Sequence, residues 1–230
     1  MSLSVPSLRL AAPGELRVSR SEALRYLGYG KAEPDESVLE LMDSCEKELL
    51  AACQARACWA RVSLAFPSAF SVDLGFGPVE SVSLAKHLAG CHSALLFAAT
   101  IGVGADRLIA RWSRLRPSRS AVIDALASSA IECWCDDVER EATQGEDKHC
   151  ERFSPGYGDF ALQHQKDFAN SLDMGRLLGV SLTESLLLTP TKSVTAVIGL
   201  GASARTCGHK CMFCDKNPPS ATEVTVKGYL

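Results

Sequence analysis

Residues 152–157 read Arg152-Phe153-Ser154-Pro155-Gly156-Tyr157, followed further along by Ser181-Leu182-Thr183-Glu184-Ser185, then Pro190 and the apolar run Ser193–Leu200. Arg152 supplies a planar, permanent cation suited to a carboxylate, such as the amino-acid end of a ligand. Pro155-Gly156 is a turn signal, and glycine lets backbone approach a ligand closely. Tyr157 offers a flat face and one hydroxyl, against which a sulfonium or an adenine could pack. The plainer reading is a surface loop with an exposed Arg and a half-buried Tyr, and six residues alone do not separate the two.

The blocks taken together, in this order, resemble the S-adenosylmethionine-binding core of the activation domain of cobalamin-dependent methionine synthase. That family carries Arg-Pro-x-Pro-Gly-Tyr, a helix, Leu-Thr-Glu-Ser, a Pro and a strand opening on Ser-Val. The stretch from Ala98 through Leu108, the segment Ala121–Cys135 and the opening Ser21–Tyr29 look like stand-alone members of the family. The resemblance implies an α+β fold, with a twisted, mainly antiparallel sheet flanked by helices. It also implies S-adenosylmethionine bound by the chain and docking on a partner, a cobalamin-binding methionine synthase or related corrinoid protein, whose oxidised cobalamin is reduced and remethylated. Residue by residue, Arg152, Gly156 and Tyr157 match ligand-contacting positions, and Ser154 takes a place where the family uses its backbone. Glu184 falls in a matching block, either as support behind the ligand or as a buried structural carboxylate. Two departures stand out: Ile198 occupies the position of an aromatic Tyr, and the family's Asp-Trp-Thr-Pro segment has no counterpart.

The bulk properties are compatible with this. The chain has 230 residues, 47% of them hydrophobic and 22% charged, as in a globular protein of one large or two small domains. A net charge of −3 speaks against a nucleic-acid binder. There is no apolar run long enough for a membrane helix and no basic-then-apolar start of a secretory signal, so the expected compartment is the cytoplasm. No Asp-x-His-x-x-Gly cobalamin motif and no sequential nucleophile–base arrangement is visible. The chain is therefore expected to act as an accessory component that makes no methionine alone. Rival readings are a corrinoid or S-adenosylmethionine sensor and a small iron–sulfur electron carrier.

Along the chain, Ser19 and Glu22 suggest a capping box opening a short helix that ends near Gly28, followed by a loop at Gly28, Gly30 and Pro34. Val38, Leu41, Met42, Cys45, Leu49 and Ala52 recur at helical spacing, predicting a helix from Asp35 to about Cys58. Strands are predicted over Trp59–Phe66, Phe70–Phe76, Ser93–Thr100, Leu186–Leu188 and Val194–Leu200, and helices over Val82–Leu88, Ala105–Trp112, Ser120–Glu141 and Phe160–Leu178. Gly102 and Gly104 lack the third glycine of a dinucleotide fingerprint, since Arg107 stands in its place, and read as a turn. Arg107, Arg111 and Arg114, with Arg116 and Arg119 beyond, form a basic helical face, either solvated or a dock for an acidic partner. Asp136 and Asp137, being adjacent, point to different helix faces.

Ten cysteines divide into seven scattered ones (Cys45, Cys53, Cys58, Cys91, Cys133, Cys135 and Cys150) and a C-terminal cluster. The scattered set reads as reduced, small core residues. Cys207, Cys211 and Cys214 follow the pattern Cys-x3-Cys-x2-Cys, which suits an iron–sulfur cluster or zinc, with His209 or Cys150 as a conceivable fourth ligand. The alternative is a tail of redox-active thiols. The chain thus divides into an activation-domain-like unit over residues 1–204 and a Cys-rich tail over 205–230.

Overall fold

Ser93–Thr100, all eight residues of it buried, is the centre of the molecule. The computed structural model describes residues 3–29 and 32–201; Gly30 and the tail cysteines lie outside them. The elements run β1 (Ser7–Leu10), α1 (Arg20–Tyr26), α2 (Glu36–Ala52), β2 (Arg56–Ser63), β3 (Ala65–Ser68), β4 (Ser71–Asp73), β5 (Pro78–Glu80), α3 (Val82–His87), β6 (Ser93–Thr100) and α4 (Val103–Leu115). They continue with α5 (Pro117–Ala142), a 3-10 turn at Leu162–His164, α6 (Gln165–Ser171), α7 (Met174–Leu178), β7 (Ser181–Leu182), β8 (Leu188–Thr189) and β9 (Ser193–Leu200). The main sheet has the order β1-β2-β6-β9, antiparallel throughout. This is the expected α+β class.

Both faces of the sheet are covered, so β6 reads as an unbroken apolar run rather than an alternation. Leu95, Phe97 and Ala99 pack with α2, α4 and α5, whereas Ala94, Leu96 and Ala98 pack with the small β-sheets, α3, α6 and α7. The α5 stripe Val122, Leu126, Ala130 and Cys133 is buried as its spacing predicts, each large aliphatic contributing about 1.5–3 kcal/mol. Ser19 caps α1 by accepting from the Glu22 N–H, and Gly28 lies beyond its end at φ +85°. Glu22 pairs with Arg25 instead of closing the box.

Several boundaries differ from the sequence reading. The helix expected to reach Cys58 ends at Ala52, because residues from Arg56 onward pair with β6 and the Gln54 N–H bonds Ile101 O at 3.0 Å. Sheet pairing overrides the local preference of an Ala-rich run. The predicted Trp59–Phe66 strand is divided between β2 and β3, and β5 was not foreseen. The predicted Phe160–Leu178 helix breaks at Asp173, whose φ of +48° is left-handed. Leu186, at φ +65°, lies in the turn before β8 rather than in a strand. Arg119 leaves the basic face: it is 2.7 Å from Glu48 and lies over the Trp112 ring, while Arg107, Arg111, Arg114 and Arg116 stay exposed.

The glycine pair before α4 serves packing. A Cβ on Gly104 would stand 2.0 Å from Ala52 O, so α4 meets the end of α2 only through glycine. Of the seven scattered cysteines six are buried, Cys53 is half-buried and all are unbridged. Burial pushes the Cys53 and Cys58 thiols up to about 12.

Candidate functional site: the Arg152–Tyr157 loop

The loop is built on the edge of the sheet. β9 is the outer strand, and the segment before the loop runs beside it. Cys150 N–H donates to Gly199 O at 2.8 Å, and Phe153 and Val197 exchange bonds of 3.0 and 2.8 Å. Extended backbone turns successive side chains to opposite faces. Phe153 is accordingly buried with the Phe160 and His87 rings, whereas Arg152 reaches α5. Phe153 and Phe160 anchor the two ends of the turn between them. Gly156 N–H donates to Phe160 O at 2.7 Å, and Tyr157 N–H to Ser154 O at 3.1 Å.

Gly156 has φ +99°, which a side chain would strain, and a Cβ there would touch Leu162. The turn presents Tyr157, 50% exposed, with its ring edge-on to Phe153 at 5.9 Å. Asp159 fastens the loop to α3, accepting from Ser81 Oγ at 2.6 Å and from the Val82 and Ser83 N–H groups at 2.8 and 3.0 Å. Those bonds, the one to Ser81 foremost, hold its carboxyl well below the usual range.

Arg152 is enclosed by acids of α5. Its guanidinium lies 3.0 Å from Glu132, 2.8 Å from Asp136 and 2.5 Å from Glu139. The side chains of Glu132 and Asp136 are 51% and 57% exposed, against 13% for Glu139. Burial raises the Glu139 carboxyl despite Arg152 and the nearby His149. Burial alone would depress the guanidinium, but nearby negative charge keeps it raised. The Cys135 sulfur counts only when ionised; at neutral pH Glu139 and Asp136 carry the effect. Of the three acids the sequence reading names only Asp136, although their i, i+4, i+7 spacing on one helix face is a readable signal. Asp137 points elsewhere, to Arg17 at 2.9 Å, as its adjacency to Asp136 implied.

The structure thus brings Arg152, Ser154, Gly156 and Tyr157 into one ordered loop. It does not add Glu184, which is exposed in the turn between β7 and β8 and is not among the α5 partners of Arg152; the buried-carboxylate alternative is also not met. Ile198 is wholly buried in the layer between the sheet and the helices. Cys207, Cys211, Cys214 and His209 lie outside the described residues. Among the described residues no cluster of three or more His, Cys, Asp or Glu is arranged to hold a metal ion. No helix among them is long and apolar enough to cross a membrane.

The site is a polar loop, on the edge of an antiparallel sheet, in which one arginine faces several carboxylates and Tyr157 presents an exposed aromatic ring. No family model matches the sequence, and no curated protein does. Among solved structures the chain is similar to one described as the MetH reactivation domain bound to AdoHcy. The TM-score is 0.68 at 14% identity, over 89% of this chain and 81% of that one. At that identity the likeness shows a shared fold.

Proposed function

We propose that the chain binds S-adenosylmethionine at the Arg152–Tyr157 loop and supports reductive remethylation of cobalamin held by a partner, methionine synthase or a related corrinoid methyltransferase. The observation that carries the reading is the loop itself, which holds Arg152 against the α5 carboxylates and presents the exposed Tyr157 ring. Its support is a fold shared with a domain whose structure is described with AdoHcy, which is S-adenosylmethionine without the transferable methyl. An amino-acid end is a zwitterion: its carboxylate suits Arg152, and its ammonium suits Glu132 or Asp136. Gly156 leaves room beside the backbone, Ser154 turns the chain, and Tyr157 offers a face to adenine or sulfonium. Bound S-adenosylmethionine supplies the methyl group. The chain's part is to hold that group in one orientation toward the partner's corrin, which makes methyl transfer effectively intramolecular. Glu184, exposed in the turn between β7 and β8, is assigned a supporting role only.

Two measurements test this. Calorimetry with S-adenosylmethionine should show binding, and none at millimolar ligand would overturn the proposal. An oxidatively inactivated corrinoid methyltransferase should recover turnover when given the chain, S-adenosylmethionine and a reductant under anaerobic conditions. The chain alone should form no methionine. Ligand binding without recovery would leave a sensor as the surviving reading.

A further inference from the structure

We propose that Cys91 and Cys150 are a redox pair that closes to a reversible disulfide and staples the Arg152–Tyr157 loop to the end of α3. Their sulfurs are 3.6 Å apart, and both residues are buried. To reach the ~2.05 Å of a disulfide the sulfurs must approach by roughly 1.5 Å. Gly199 of β9 makes the space for both sulfurs: a Cβ there would stand 2.7 Å from Cys91 Sγ and 3.3 Å from Cys150 Sγ. Cys150 Sγ also reaches His87 O at 3.4 Å, as Cys45 reaches Arg119 O and Cys58 reaches Leu172 O, but Cys150 in addition meets a second sulfur.

The placement ties the pair to the loop. Cys150 lies two residues before Arg152 and is held to β9 by its N–H. Cys91 follows α3 and is held by a bond from its N–H to Leu88 O at 3.0 Å. His87 of α3 already bonds Glu151 O through Nε2 at 2.8 Å, and Asp159 bonds the start of the same helix. A disulfide would therefore add a covalent link along a contact that is polar at both ends. The bond to Cys150 and burial raise the Cys91 thiol, so Cys91 rests as a neutral thiol and its oxidation is slow.

The oxidant fitting this site is a peroxide, which is small enough to reach Cys91, 6% exposed, while Cys150 is 0% exposed. Cys91, deprotonated, attacks the peroxide O–O bond and becomes a sulfenic acid, and one water leaves. Cys150 then attacks the Cys91 sulfur, the S–O bond breaks, and the hydroxide departs with the Cys150 proton as a second water. Two thiols and one hydrogen peroxide give one disulfide and two waters. A small dithiol reverses the change.

The experiment uses the full chain, purified reduced and treated with hydrogen peroxide. Remaining thiols are alkylated under denaturing conditions, and peptides are mapped by mass spectrometry without reduction. A peptide pair joined through Cys91 and Cys150 is expected, abolished by dithiothreitol and absent in Cys91→Ser. Hydrogen exchange of the amides over 150–160 should slow several-fold in the oxidised chain and remain unchanged in peroxide-treated Cys91→Ser. Recovery of both residues as alkylated thiols, when the tail cysteines are fully oxidised, overturns the pair. A cross-link without slower exchange overturns the staple. Neither readout involves S-adenosylmethionine, so the inference and the ligand reading fail separately.

Discussion

Arg152→Ala separates what Arg152 does for the fold from what it does for a ligand. The side chain is 18% exposed and faces three carboxylates of unequal burial. Glu132 and Asp136 are half exposed, and such pairs contribute about 0–1 kcal/mol each. Glu139 is the costly partner. Removing one member of a buried pair typically costs about 3–5 kcal/mol, because the other charge is left uncompensated. Here His149 lies 3.5 Å from Glu139, and the carboxyl can relieve itself by taking a proton. The expected loss is therefore roughly 2–4 kcal/mol at pH 8. The folded Glu139 carboxyl already lies above its ordinary value, so its contribution to stability diminishes as pH rises through the window above 4.5. Without Arg152 it rises further, and the loss should shrink toward pH 5.5. Urea denaturation of wild type and variant at both pH values measures this, with equal m-values as the check on two-state behaviour. Glu139→Gln in the Arg152→Ala background should restore most of the lost stability. An equal loss at the two pH values, or no restoration, would refute the reasoning that Glu139 is the residue left stranded.

Tyr157→Ala should leave stability within about 0.5 kcal/mol, since the ring is half exposed, while weakening S-adenosylmethionine binding at least several-fold by calorimetry. Gly104→Ala should destabilise by at least about 1–3 kcal/mol in thermal or urea unfolding, because the added methyl meets the Ala52 carbonyl. Cys207, Cys211 and Cys214 are expected to bind iron–sulfur or zinc together: anaerobic iron, sulfide and zinc analysis should show metal in wild type and little in the triple Cys→Ser variant.

The two central strands, β6 and β9, are legible in sequence because nearly all their residues are buried. Ser93–Thr100 was read correctly because eight apolar and small residues bounded by turn signals leave few alternatives. The β2 start was hidden, since Gln54-Ala55-Arg56-Ala57-Cys58 suits a helix as well as a strand and only pairing with β6 decides. Of the short strands, β4 falls inside the predicted Phe70–Phe76 strand and β3 partly inside Trp59–Phe66, whereas β5, three residues long, has no periodicity to detect. At the site, the loop was legible through its Arg, Pro, Gly and Tyr, each of which has a conformational or chemical reason. What the linear pattern did not convey is the company Arg152 keeps. Glu132, Asp136 and Glu139 look like an ordinary solvated helix face until the edge of the sheet delivers an arginine to it. Asp159, a loop carboxylate in sequence, likewise acquires its purpose only beside the start of α3.

If Arg152 binds the proposed ligand, its enclosure also bears on which ligands it would select. One nitrogen of the guanidinium serves both Glu132 and Asp136, and the other serves Glu139. These bonds use three of the five guanidinium N–H donors, so an incoming carboxylate must approach the remaining two beside the resident acids or displace one of those acids. Glu132 and Asp136 can swing into water at little cost, whereas Glu139 would have to stay where it is buried. A simple carboxylic acid therefore gains one ion pair while crowding three like charges. A zwitterion avoids this, because its ammonium pairs with the acid that its carboxylate displaced. A sulfonium adds a second positive charge to a site whose one arginine and three carboxylates leave it acidic overall. S-adenosylmethionine should accordingly bind more tightly than AdoHcy, with a gap that narrows as salt screens the exposed acids. Competition calorimetry at low and high ionic strength measures it. Equal affinities at low salt would show that the acids of α5 remain closed around Arg152 and contribute nothing to selection.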